Sequence, residues 1–137
     1  MRIKRTNKGQ LQISEMTADN YSVIKEQLRK VSMAKVILNA PNALAIVTLQ
    51  ELYREKFSNE YPSYNNQGLV TMTWRASDAM AFRLVPTIYL GTNPNHRDFI
   101  DMTMECLRDK LSEEIGQFNN IIMESINTLR LENGIHE

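Results

Sequence analysis

The chain has 137 residues, 42% hydrophobic and 23% charged, which suffices for one domain with a real core. Sixteen basic residues balance sixteen acidic ones, so no overall field draws the chain to nucleic acid or an anionic membrane. One cysteine, Cys106, rules out an internal disulfide; with no leader pattern and no long apolar run, this predicts a soluble, cytoplasmic protein.

Residues 2–6 and 10–15 alternate in strand fashion around Asn7-Lys8-Gly9, predicting an opening β-hairpin. Its basic cluster, Arg2, Lys4, Arg5 and Lys8, fits a solvated edge better than an anion-binding arm. Thr17 can cap a helix reaching about Met33, with Tyr21, Ile24, Leu28 and Val31 on one face. Lys35–Asn39 reads as a short strand stopped by Pro41. From Asn42 to Phe57 the spacing of Ile46, Leu49, Tyr53 and Phe57 is helical, although Ile46-Val47-Thr48 leaves a strand open at its start.

Ser58–Gly68 reads as a polar loop. Strands are predicted at Leu69–Arg75 and Met80–Val85, joined at Ser77-Asp78, and at Thr87–Leu90 after Pro86. Asn93 then caps a long helix with Pro94 in its first turn, and Asn133-Gly134 ends it. The expected fold class is α+β: an antiparallel sheet with two shorter helices in residues 1–92, then one long C-terminal helix over 93–134, in a single domain 1–137.

That helix carries Ile100, Met104, Leu107, Leu111, Ile115, Phe118, Ile122, Ile126 and Leu129 at steps of three and four. About forty residues make a rod of roughly 60 Å, against roughly 30–35 Å for a compact domain of this size. Either it breaks near Gly116 and folds back, or a second chain covers it; the second chain is the expectation, giving a homodimer or higher homo-oligomer.

Catalytic signatures are missing. The five glycines are scattered, the two histidines, His96 and His136, are far apart, and no metal-ligand spacing or serine elbow occurs. Asp98, Asp101 and Glu105 share a helix face and can be read as a cation site, but acids in a first helical turn are stabilised by the helix dipole alone. No enzyme activity and no cofactor are therefore expected.

A binding role has more to draw on. Trp74-Arg75 and Phe82-Arg83, placed on neighbouring strands, put rings on one face and guanidiniums on the other, a set suited to a base and phosphates. The competing reading makes both rings core and both arginines solvated. The helix start at Asn93 offers free backbone N–H groups to an anion. Arg108 and Arg130 are 22 residues apart, within roughly 40° of one face but about 33 Å along the axis. In an antiparallel pair crossing near Asn119, Arg130 of one chain falls beside Arg108 of the other, giving two equivalent sites.

In this layout, and in the stretch from Gly68 through Leu90-Gly91-Thr92-Asn93 with Trp74, Phe82 and Arg83, the chain resembles the phage Thoeris anti-defence proteins of the first type. The resemblance implies a cytoplasmic oligomer in an infected bacterium. It would sequester cyclic ADP-ribose-type signals made by TIR enzymes, without cleaving them. It further implies that Phe82 stacks on adenine and that Arg108 and Arg130 hold the pyrophosphate, with Arg54 a weaker candidate. The rival reading is a phage structural or adaptor protein that only oligomerises.

Overall fold

The computed structural model describes residues 1–36, 39, 42–58, 62–84 and 99–132, the side chains of the last stretch as far as Gly116. Strands β1 (Arg2–Arg5), β2 (Leu11–Met16) and β3 (Val70–Trp74) form an antiparallel sheet in the order β1-β2-β3. The opening hairpin is as expected. Its turn closes through Thr6, whose N–H donates to the Gln10 carbonyl at 2.8 Å and whose hydroxyl accepts from the Lys8 and Gln10 N–H groups. Gly9, at φ 73°, supplies the left-handed residue that such a three-residue loop requires.

Leu11, Ile13 and Met16 face the core from β2, and strict alternation would have sent Glu15 inward in place of Met16. The register shift between Ile13 and Met16 prevents this. It is a β-bulge, with Glu15 at φ 56°. A non-glycine residue in that region costs roughly 1–2 kcal/mol, and glycine surrenders roughly 0.5–1 kcal/mol of that through its freer unfolded chain. Glu15→Gly is therefore expected to stabilise the protein by about 0.5–1 kcal/mol in urea unfolding; a loss of stability would show that the Glu15 side chain contributes to the fold.

Helix α1 (Ala18–Ser32) begins as expected at Thr17. The Thr17 hydroxyl accepts from the Asn20 N–H at 3.1 Å, while the Asn20 side chain accepts from the Thr17 N–H, closing a reciprocal capping box. Thr17→Ala should cost about 1 kcal/mol, read as a lowered thermal midpoint. The other end is closed from a distance: Gln50 Nε2 donates to the carbonyls of Val31 and Ala34.

Helix α2 (Ala43–Leu52) runs directly into a π-helical turn, Tyr53–Phe57. The helical reading of this segment thus prevails over the strand alternative. The wider turn has a visible purpose, because it brings Phe57 into phase with Leu52, five residues earlier, and both are fully buried. Asn42 precedes α2 but makes no side-chain capping bond.

Two expectations need correction. Met80–Leu84 is not a strand: Ala76–Leu84 forms helix α3, so three shorter helices accompany the sheet. Asp78, Ala79, Ala81 and Phe82 are its buried residues, at helical spacing, although Met80, Phe82 and Leu84 also alternate as a strand would. Lys35 and Val36 are not in a strand either, and Asn39 lies in a turn. Helix α4 (Phe99–Glu132) passes Gly116 without a break, which removes the folded-back alternative. The proposed strand Thr87–Leu90 and the helix start at Asn93 lie outside the described residues.

The fold is α+β, with the helices on the face of the sheet that bears Leu11, Ile13, Val70 and Trp74. Helix α4 packs against α3, α1 and β1, adding Met104, Leu107, Leu111 and Ile115 to one continuous core. Asn20 donates to the buried Thr103 hydroxyl at 3.3 Å, and Lys110 Nζ donates to the Met1 carbonyl, fixing the helix to both N-terminal elements. Among the described residues no helix is long and apolar enough to cross a membrane. Gly116 is exposed, and a Cβ there would meet nothing within 4 Å. Since an interior helical glycine costs about 1 kcal/mol relative to alanine, Gly116→Ala is expected to stabilise the isolated protomer by about that amount.

Candidate functional site

Trp74 ends β3, and Phe82 lies on α3, not on a facing strand. The fold nevertheless brings the two rings together, with centroids 5.5 Å apart and planes tilted by 59°. Phe57 meets Trp74 edge-on at 6.2 Å and stacks on Tyr21 at 5.3 Å, so the four rings form a chain through the core. Both Trp74 and Phe82 are 0% exposed. Neither offers a face to a base, and the indole N–H is already directed at Met72 Sδ, 3.1 Å away.

The arginines are dispersed over the surface. Arg83 is exposed at the end of α3 and Arg54 is exposed on the π-helical turn. Arg108 is half-buried on α4, with the Asp109 carboxylate at a long 3.8 Å. Arg130 belongs to the distal part of α4, where side chains are not described, and Asn93 lies outside the described residues.

Arg75 is occupied structurally. Its backbone N–H donates to Asp78 Oδ2 at 2.9 Å, and its guanidinium reaches both oxygens of the same carboxylate at 3.2 and 3.1 Å. This closes the start of α3, where Asp78 stands at the third helical position. The hydrogen bond to Asp78, then its charge, push the Arg75 pKa still further up, with Glu55 (3.5 Å away) adding to the same effect. The sequence carried a signal for this arrangement, an acid three residues after Arg75 opening an alanine-rich run; it was masked by the apparent turn at Ser77-Asp78.

Two concavities deserve description. A polar groove of about 240 Å³ lies between the π-helical turn and β3, bordered by Tyr21, Glu55, Lys56, Ser63 and Thr71. Burial, then the neighbouring Tyr64 and Tyr53, raise the Tyr21 pKa above the ordinary phenol value. A phenol held neutral beside Glu55 and Lys56 can exchange hydrogen bonds with a small polar molecule, but the groove falls below the roughly 300–1,000 Å³ usual for ligand pockets.

The second is a groove of about 330 Å³ between α2 and α3. Its floor includes Ala45 and Ala81, and its rims are Leu44, Met80 and Leu84, exposed by 80%, 50% and 53%. The Thr48 hydroxyl in its wall already donates to the Leu44 carbonyl at 2.8 Å. Among the described residues no group of three His, Cys, Asp or Glu side chains is placed to hold a metal ion; Asp98 lies outside them. No known protein family matches the chain, and no characterised protein or solved structure proved similar to it.

Proposed function

We propose that this chain acts by self-assembly through α4 and not by catalysis, as a structural or adaptor protein of the oligomerising kind. One observation carries this reading. Helix α4 is 34 residues long, about 51 Å, against the roughly 30–35 Å of a compact domain of this length, and its sequence carries the apolar spacing of Met104, Leu107, Leu111 and Ile115 on to Phe118, Ile122, Ile126 and Leu129. A helix longer than its own domain gains by burying the rest of such a stripe against another copy. Ile122→Lys with Ile126→Lys in the full chain is expected to convert an oligomer to a monomer in sedimentation equilibrium, with the helical signal of the protomer largely kept. An unchanged assembly would sink the reading.

A second reading is favoured by Arg108, which stands partly exposed on this helix, its contact to Asp109 a long 3.8 Å. Two antiparallel α4 helices would bring Arg130 of one copy beside Arg108 of the other, and such a pair suits the pyrophosphate of a cyclic ADP-ribose-type nucleotide. Capture of that signal would keep it from a TIR-based antiviral response in the cytoplasm of an infected bacterium. The rings of Trp74 and Phe82 are buried and present no face to a base, so the arginines carry this reading. Calorimetry with cyclic ADP-ribose isomers tests it: Arg108→Ala should weaken binding at least tenfold and leave assembly intact, and no heat of binding with the unaltered protein would eliminate it.

A further inference from the structure

The groove between α2 and α3 is open and largely apolar, with Thr48 and Ser77 the polar residues in its lining. Its shape is that of a hole for helix side chains. The small floor residues Ala45 and Ala81 lie between the projecting Leu44, Met80 and Leu84, with Met80 and Leu84 one helical turn apart. The Thr48 hydroxyl is spent on its own helix, so that side chain adds no free donor to favour a polar occupant. Met80 also borders a narrow crevice with Gly9, Leu11, Ala76, Glu114 and Ile115. The groove thus adjoins, across Met80, a crevice that reaches the middle of α4 at Glu114 and Ile115. Just past that point stands Gly116, exposed and with open space where a Cβ would be. Among the described residues nothing calls for a glycine inside this helix; the close approach of another helix would.

We propose that this groove seats the distal half of α4 from a second copy of the chain, the two α4 helices crossing near Gly116. The inference rests on assembly through α4 and adds the surface that receives it. The occupant is drawn from the chain itself, because Phe118, Ile122, Ile126 and Leu129 continue the apolar spacing of Met104, Leu107, Leu111 and Ile115 along a helix about 51 Å long. A two-fold axis near the crossing makes the exchange reciprocal, so that both grooves and both distal helices are covered together.

Met80→Glu with Leu84→Glu in the full chain tests this, since both side chains are exposed in the protomer and their change should leave its fold intact by circular dichroism. The dimer dissociation constant measured by sedimentation is expected to rise at least 100-fold. Gly116→Leu, whose Cβ would meet nothing within 4 Å among the described residues, should weaken the dimer in the same direction. If the Met80/Leu84 variant dimerises within twofold of the unaltered chain while Ile122→Lys/Ile126→Lys is monomeric, the seat lies elsewhere and assembly through α4 stands. If the unaltered chain is itself monomeric, both readings fall.

Discussion

Trp74→Ala is expected to destabilise the protein by about 3–5 kcal/mol, a large part of the roughly 5–15 kcal/mol that a domain of this kind possesses. The indole is 0% exposed and touches rings from two other elements, Phe57 after α2 and Phe82 on α3. Truncation removes the burial of a large apolar surface and leaves a cavity whose walls belong to different elements, so no single shift can close it. Denaturant unfolding followed by circular dichroism measures the loss. A variant that stayed within about 1 kcal/mol of the parent would mean that Trp74 is not a packing residue, since large core truncations rarely cost so little. As the only tryptophan, Trp74 also reports on the parent protein. Its emission should be blue-shifted, poorly quenched by acrylamide and unchanged by added nucleotide.

Asp78→Ala should cost roughly 2–3 kcal/mol, because one carboxylate, 1% exposed, accepts from both the backbone and the guanidinium of Arg75. Its removal strips the cap from α3 and leaves the part-buried Arg75 N–H without its acceptor. Asp78→Asn keeps one acceptor oxygen for the backbone N–H and should recover part of the loss. Arg75→Ala alone should cost less, since its guanidinium is about half exposed and retains water as a partner. A double-mutant cycle over Arg75 and Asp78 is expected to give a coupling of about 1 kcal/mol. A cycle that closes at zero would show that Asp78 acts only through the backbone cap.

The elements that sequence revealed are those whose local chemistry is unambiguous. The hairpin announced itself through Asn7-Lys8-Gly9, and α1 through Thr17 together with the spacing of Tyr21, Ile24, Leu28 and Val31. The stripe Met104, Leu107, Leu111 and Ile115 on α4 is buried as its period required. Helix α3 was illegible for a specific reason. Over nine residues, Met80, Phe82 and Leu84 satisfy a two-residue period while Asp78, Ala79, Ala81 and Phe82 satisfy a helical one, and short segments cannot arbitrate between them. The adjacency of Trp74 and Phe82 was foreseen, but through the wrong element. With that error, the expectation that one of them faces a ligand loses its geometric basis.

Sequence by itself determined the α+β class, the hairpin, the capped first helix and the inward face of α4, because turn residues, capping groups and apolar period act over a few neighbouring positions. Only the tertiary structure decided that Asp78 caps a helix, that a bulge at Glu15 turns Met16 inward, and that Trp74 and Phe82 are interior. It also revealed the apolar groove between α2 and α3. These features depend on which distant residues exclude water from one another, and no local pattern encodes that competition.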